Sequence, residues 1–234
     1  MTTKTGFGGF PRECVEFLDD LKANNRREWF NEDKGDYEKF VLSPAREFVV
    51  AMGTRLKEFA PRLEFDPRTD RSIFRIHRDT RFSKDKSPFK SHLGIYFWEG
   101  SSSKLENPGF YFHVEPPILM LGSGLYCFTK PLMDAWRETV LDDVRGKALA
   151  DEVRKLKAAG YEVGEIQYKR VPRGLPVDHP RAELLKHGGI TTGKSGPIPP
   201  ELFGPELIDY CLEKFRPTLG LHKLLLEMVV RVKG

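Results

Sequence analysis

Cysteine is scarce in this chain of 234 residues. Only Cys14, Cys127 and Cys211 occur, far apart and odd in number. That set excludes a disulfide framework and the paired spacing of a zinc module, and it predicts a reducing, cytoplasmic home. Long apolar runs are missing as well. No window approaches the roughly 18 apolar residues that span a bilayer, so no membrane partner is expected. The opening MTTKTGFGGFPREC has no apolar stretch behind its lysine, which argues against a secretory signal. Nor does one sign of charge dominate: 38 Lys+Arg face 34 Asp+Glu, a net of +4. A general basic coat for nucleic acid is thereby excluded. Internal repeats and an obvious linker are also lacking, so a single domain over 1–234 is expected, with 39% hydrophobic residues to build its core.

What is present is patterned in thirds. Residues 10–60 read as helical. Pro11 can open a helix, Val15, Leu18 and Leu21 fall at helical spacing, and Asn24-Asn25 is a polar break. A second segment runs from about Arg27 to Phe40. Ser43-Pro44 then supplies an N-cap and first-turn pair for a third helix carrying Phe48, Met52, Leu56 and Phe59 on one stripe up to Pro61. Residues 72–128 change to period two. RSIFRIHRD, LGIYFW, GFYFHVE and ILMLGSGLY each alternate apolar and polar positions, which predicts four strands of a mainly antiparallel sheet. ENPG and EPP punctuate them. From Pro131 the pattern is helical again up to Gly160, then extended and basic through YKRVPRGLPVDHP; a short helix at about Arg181 to Lys186, a loop to Pro200 and two more helices follow. The fold expected is α+β, a central sheet of four or more strands with helices before and after it.

The excess charge is local. Between Arg75 and His92 stand Arg75, Arg78, Arg81, Lys84, Lys86 and Lys90 against Asp79 and Asp85, which leaves 32 bases and 32 acids in the rest of the chain. Carboxylates set among arginines can hold those arginines in place for bidentate recognition of phosphate or carboxylate. The expectation is that Arg78, Asp79 and Arg81 are at least half buried and hydrogen-bonded to one another or to backbone, with Phe82 and Phe89 anchoring the loop to the core. Lys84, Lys86 and Lys90 would then meet an anion, in a cleft shared with Lys169, Arg170 and Arg173. Removing Asp79 should in that case cost the fold heavily.

Two further patterns bear on chemistry. GGITTGKS, Gly188–Ser195, fits the phosphate-cradling pattern G-x-x-x-x-G-K-[ST]. That motif works between a strand and a helix, whereas RAELLKH precedes it and GPIPP follows, so an irregular loop without a nucleotide site is expected. His77 and His113 fall on the outer phase of their strands, with Asp79 and Glu115 two residues on. Such pairs share a face and can offer two imidazoles and two carboxylates to a metal, or be solvated side chains; no cofactor or metal is assigned. The same phase holds Arg75, Tyr96, Trp98, Tyr111 and Tyr126 beside Gly94, Gly122 and Gly124. This is either a floor for a flat ligand or a second buried face.

GFPRECVEFLDDLKANNRREWF, SIFRIHRDTRFSKDKSPFKSHLG, the pair GFYFHVEP and GSGLY, and YKRVPRGLPVDHPRAELL together resemble a bacterial and fungal family of conserved hypothetical proteins, domain of unknown function 2461. The resemblance runs from Gly9 to Leu225, and the block R-D-x-R-F-S-K-D-K-x-P-[FY]-K at Arg78–Lys90 is its most specific part. The family pattern usually carries an aromatic where His77 stands. The resemblance implies a single domain with no established activity, and it transfers no catalytic residue. The residues themselves point to recognition of a small anionic ligand, with His113 or Asp79 as the acid–base group if the protein is an enzyme. A non-catalytic module for nucleic acid or an acidic protein, or a structural role for the Arg/Asp cluster, is the alternative.

Overall fold

The structure, a computed structural model, describes residues 6–100, 103–164 and 166–233. Its centre is a six-stranded antiparallel sheet in the order β1-β2-β3-β4-β6-β5. The strands are β1 (Leu63–Glu64), β2 (Leu93–Glu99), β3 (Gly109–Glu115), β4 (Ile118–Leu125), β5 (Glu162–Val163) and β6 (Ile190–Pro197). Helices α1 (Arg12–Ala23), α2 (Arg27–Glu32), α3 (Lys34–Asp36) and α4 (Ser43–Leu56) precede the sheet. Helices α5 (Lys130–Leu141) and α6 (Arg145–Ala158) follow β4, and α7 (Leu207–Phe215) and α8 (Leu219–Lys233) close the chain. The three strands read from period-two alternation, β2, β3 and β4, are consecutive neighbours as expected.

The chain divides into two compact units interleaved in sequence. One is drawn from Met1–Phe97, Tyr111–Leu121 and Ser195–Glu213, the other from Trp98–Phe110, Gly122–Lys194 and Lys214–Gly234. In the first, α1 and α4 bury Leu18, Leu21, Phe48 and Met52, and β3 adds Phe112. The Phe112 ring lies 4.5 Å from Phe48 and stacks 5.8 Å from Phe10. Aromatic pairs at these separations add to plain area burial. In the second unit Trp136 is fully buried among Leu132, Leu149, Leu185 and Leu225, and its indole N–H donates to the Leu184 carbonyl at 2.8 Å. There too the buried imidazole of His222 meets Glu99 at 2.7 Å, with side chains 2% and 4% exposed, under the stacked ring of Phe110.

Three expectations need correction. Ser43 is not an N-cap: the helix runs into it through a π-helical turn at Tyr37–Leu42, and the Ser43 N–H bonds to the Glu38 carbonyl. Pro44 has no N–H, and its ring would collide with a carbonyl in a regular helix; the wider turn upstream accommodates it. RSIFRIHRD is not a regular strand but an interrupted ladder with isolated bridges at Ile73 and His77. GGITTGKS is not a loop, because Ile190–Pro197 is strand β6, paired with β5 through Glu162–Gly193 and Val163–Thr192. Its lysine and serine therefore sit on a strand, and no helix follows whose amides would meet a phosphate. Between the two readings of the outer aromatics, the second buried face holds for β2, which is buried on both faces, Tyr96 included at 8% exposure, while Tyr126 stands 81% exposed beyond β4. The outer aromatics do not form one continuous floor.

Candidate functional site: a His–His–Glu cluster beside a basic loop

The loop from Arg78 to Lys90 is built from its own polar groups. The Arg78 guanidinium pairs with Asp85, and Asp85 also accepts from the Ser87 N–H at 2.9 Å and the Ser87 hydroxyl at 2.6 Å. Those bonds hold the Asp85 carboxyl far below the usual carboxylate range. Arg81 grips Asp79 with Nε at 3.0 Å and a terminal nitrogen at 2.7 Å. The same grip holds the Asp79 carboxyl down to about 2. Lys86 Nζ donates to the Thr80 carbonyl at 2.9 Å. At the exit Phe89 is buried, stacks 4.2 Å from Phe30, and is clamped by Asn25, which donates to its carbonyl and accepts from its N–H.

Several placements differ from the sequence reading. Arg78 is largely buried, but its partner is Asp85 rather than Asp79. Arg81 is 77% exposed, so the Asp79–Arg81 pair lies in water instead of in the fold. Exposed pairs of this kind contribute little to stability. Phe82 does not anchor the loop; it is 95% exposed at the tip. Lys84 is exposed. Lys90 is half-buried, 5.6 Å from the centre of the Phe74 ring. Desolvation and then the nearby Arg75 push its ammonium below the usual lysine range. Lys169, Arg170 and Arg173 lie on bends and a turn of the second unit, and the cleft expected between them and the lysines of the loop stays an expectation.

The loop ends in a distortion that sequence reasoning did not anticipate. Ser72 accepts from the Tyr96 N–H, and the Phe74 N–H donates to Gly94. Further along, the Lys90 N–H donates to Ile76, and the Arg78 N–H donates to Pro88. From Phe74 to Ile76 one side advances two residues, while the other advances four, from Gly94 to Lys90. The surplus falls at Ser91–His92, which leave the ladder as a bulge, a device that re-aims side chains next to functional sites.

That bulge brings His92 to the outer face of β3, where Tyr111, His113 and Glu115 stand in a row at alternate positions. The inward row Phe110, Phe112 and Val114 is buried, so the phase read from the sequence is correct here. The His92 and His113 rings are 4.3 Å apart. His113 Nε2 lies 3.4 Å from Glu115 Oε2, Nδ1 lies 3.0 Å from the Tyr111 hydroxyl, and the Ser91 hydroxyl donates to Glu115 Oε1 at 3.3 Å. His92, His113 and Glu115 each offer one ligand atom, all within 4.8 Å of one another. His77 is elsewhere, packed on Phe30 and Phe89. Of the four residues read from the sequence as either metal-type donors or solvated side chains, His113 and Glu115 thus gain His92 as a neighbour, not His77. Burial pushes the His92 imidazole down to about 4, reinforced by His113 and opposed by Glu115. Burial likewise lowers His113, against the bond from Glu115. Burial thus disfavours the charged form of both rings.

Against known proteins, residues 13–223 match the family model described as conserved hypothetical protein (DUF2461). The chain belongs to that family. No curated protein and no solved structure matches it. The matched span includes the basic loop, the bulge and the outer row of β3, so DUF2461 membership covers every residue of the cluster. Among the described residues no helix is long and apolar enough to cross a membrane.

Proposed function

We propose that this DUF2461 protein binds a divalent first-row transition ion through His92, His113 and Glu115 and uses it to hold a small oxyanion, carboxylate or phosphate. The observation that carries the reading is the mutual approach of the three donor atoms within 4.8 Å. Two ligand atoms about 2.1 Å from one ion at the tetrahedral angle stand about 3.4 Å apart. His113 Nε2 and Glu115 Oε2 are 3.4 Å apart, long for a charge-assisted hydrogen bond but suited to a shared ion. Three protein ligands leave a position open, as sites that take a substrate do. A divalent ion with one carboxylate keeps a positive charge, and Lys90 and Arg75 add more.

This narrows the anion reading. Arg78, Arg81 and Lys86 already have partners inside the loop, while Lys90 is close enough for His92 to feel its charge, so Lys90 is the cation assigned to the ligand. Asp79, locked by Arg81 as a carboxylate, is a poor proton carrier, and His113, once it binds the ion, gives up the acid–base role read from the sequence.

The test is calorimetric titration of the metal-stripped protein with Co(II), Zn(II) and Mn(II), followed by inorganic phosphate. One ion per chain with micromolar or tighter affinity, lost in His113→Ala and His92→Ala, and phosphate binding that requires the ion, is the expected result. Metal binding that survives both substitutions would place the ion elsewhere and end the proposal.

A further inference from the structure

We infer that Tyr111 is a positioning residue for this centre: its phenol oxygen accepts the proton-bearing Nδ1 of His113 and so presents an unprotonated Nε2 to the ion. The inference rests on the metal reading above. An imidazole binds a metal through one nitrogen only when the other carries the proton, and the group that receives that proton fixes both tautomer and ring orientation. His113 has Nε2 on the Glu115 side and Nδ1 3.0 Å from the Tyr111 hydroxyl, so the two nitrogens already face different tasks.

The phenol is itself held in place. Its ring meets Phe74 edge-on at 6.1 Å. The backbone of β2 leaves room for the hydroxyl only because residue 94 is glycine. A Cβ there would lie 2.7 Å from the Tyr111 oxygen and 3.3 Å from the Phe74 ring. The glycine gap read from the sequence as space for a ligand is, at Gly94, the seat of this hydroxyl. Two strands therefore cooperate in one imidazole, β3 by spacing Tyr111 and His113 on one face and β2 by yielding its side chain.

Co(II) titration of the metal-stripped protein, read by calorimetry and by the visible spectrum of the bound ion, tests the inference. Tyr111→Phe keeps the ring and its packing, so the melting temperature of the metal-free protein should stay near that of the parent. Its Co(II) affinity should fall about 10–100-fold, the usual loss when the partner of a metal-binding histidine is removed, and its cobalt spectrum should change. Gly94→Ala retains the hydroxyl but displaces it, and should weaken Co(II) binding in the same direction; it also serves if Tyr111→Phe fails to fold. Parent-like affinity and spectrum in either folded variant would overturn the positioning role while leaving the metal centre intact. A parent protein that binds no Co(II) would overturn both.

Discussion

The loop at Arg78–Lys90 and the outer row of β3 make opposite use of polar residues. The loop has the densest charge in the sequence and spends most of it on itself: Arg78 on Asp85, Arg81 on Asp79, Lys86 on the Thr80 carbonyl. The β3 row has one histidine, one glutamate and one tyrosine, yet it sets an imidazole and a carboxylate facing a second imidazole. Charge density in a sequence measures what a segment contains. The loop closes on partners two to seven residues away, whereas the β3 row, although its members also touch one another, is joined by His92 from outside the strand.

The largest effect that would break this comparison concerns ligand binding. His113→Ala should reduce Co(II) affinity by more than about 100-fold, whereas Lys84→Ala combined with Lys86→Ala should leave it within a factor of two or so; calorimetry checks both. Equal losses would show that the loop is part of the centre.

Stability sharpens the contrast next. Glu99 and His222 are paired in a buried setting, so Glu99→Ala should destabilise by about 3 kcal/mol in urea denaturation. Asp79→Ala, in a pair open to water, should leave the urea midpoint almost unmoved. A large loss at Asp79 would restore the structural role expected from the sequence.

The pH dependence is smaller. His92 has a folded value near 4 against an ordinary 6.5. The unfolded chain therefore binds the extra proton first as pH falls, and the neutral ring stabilises the metal-free fold above about pH 6.5. That contribution is lost progressively between pH 6.5 and 4 and changes no further below. His92→Gln should flatten the melting-temperature profile over that window relative to the parent. A parallel profile would mean that His92 titrates normally.

Smallest of all, Phe82→Ser should leave the melting temperature unchanged, since the ring is 95% exposed. A clear drop would return Phe82 to the core.

Much of the fold was legible because period-two alternation is a local signal that burial enforces: β2, β3 and β4 lie where the alternation put them. His113 and Glu115 were legible by the same token, as residues two apart on one strand. His92 was not, since its approach depends on a distortion that no periodicity records. Nor was the Arg78–Asp85 choice of partner, because Asp79 is nearer in sequence and only the path of the loop decides. GGITTGKS misled in the other direction: its glycines suggested a loop, while pairing to β5 made it a strand. The Glu99–His222 pair joins residues 123 apart, beyond any local pattern.

The bulge at Ser91–His92 has a further consequence, which is one of parity. Strand faces alternate, so adding one residue would turn every later side chain over, while adding two restores each to its own side. Leu93, Ile95 and Phe97 keep their places in the core although two residues stand outside the ladder before them. The binding feature can therefore be added to or removed from the sheet without rewriting the apolar pattern around it. A chain lacking Ser91 and His92 should still fold with β2 in its present register, as a scaffold with one donor of the proposed centre missing.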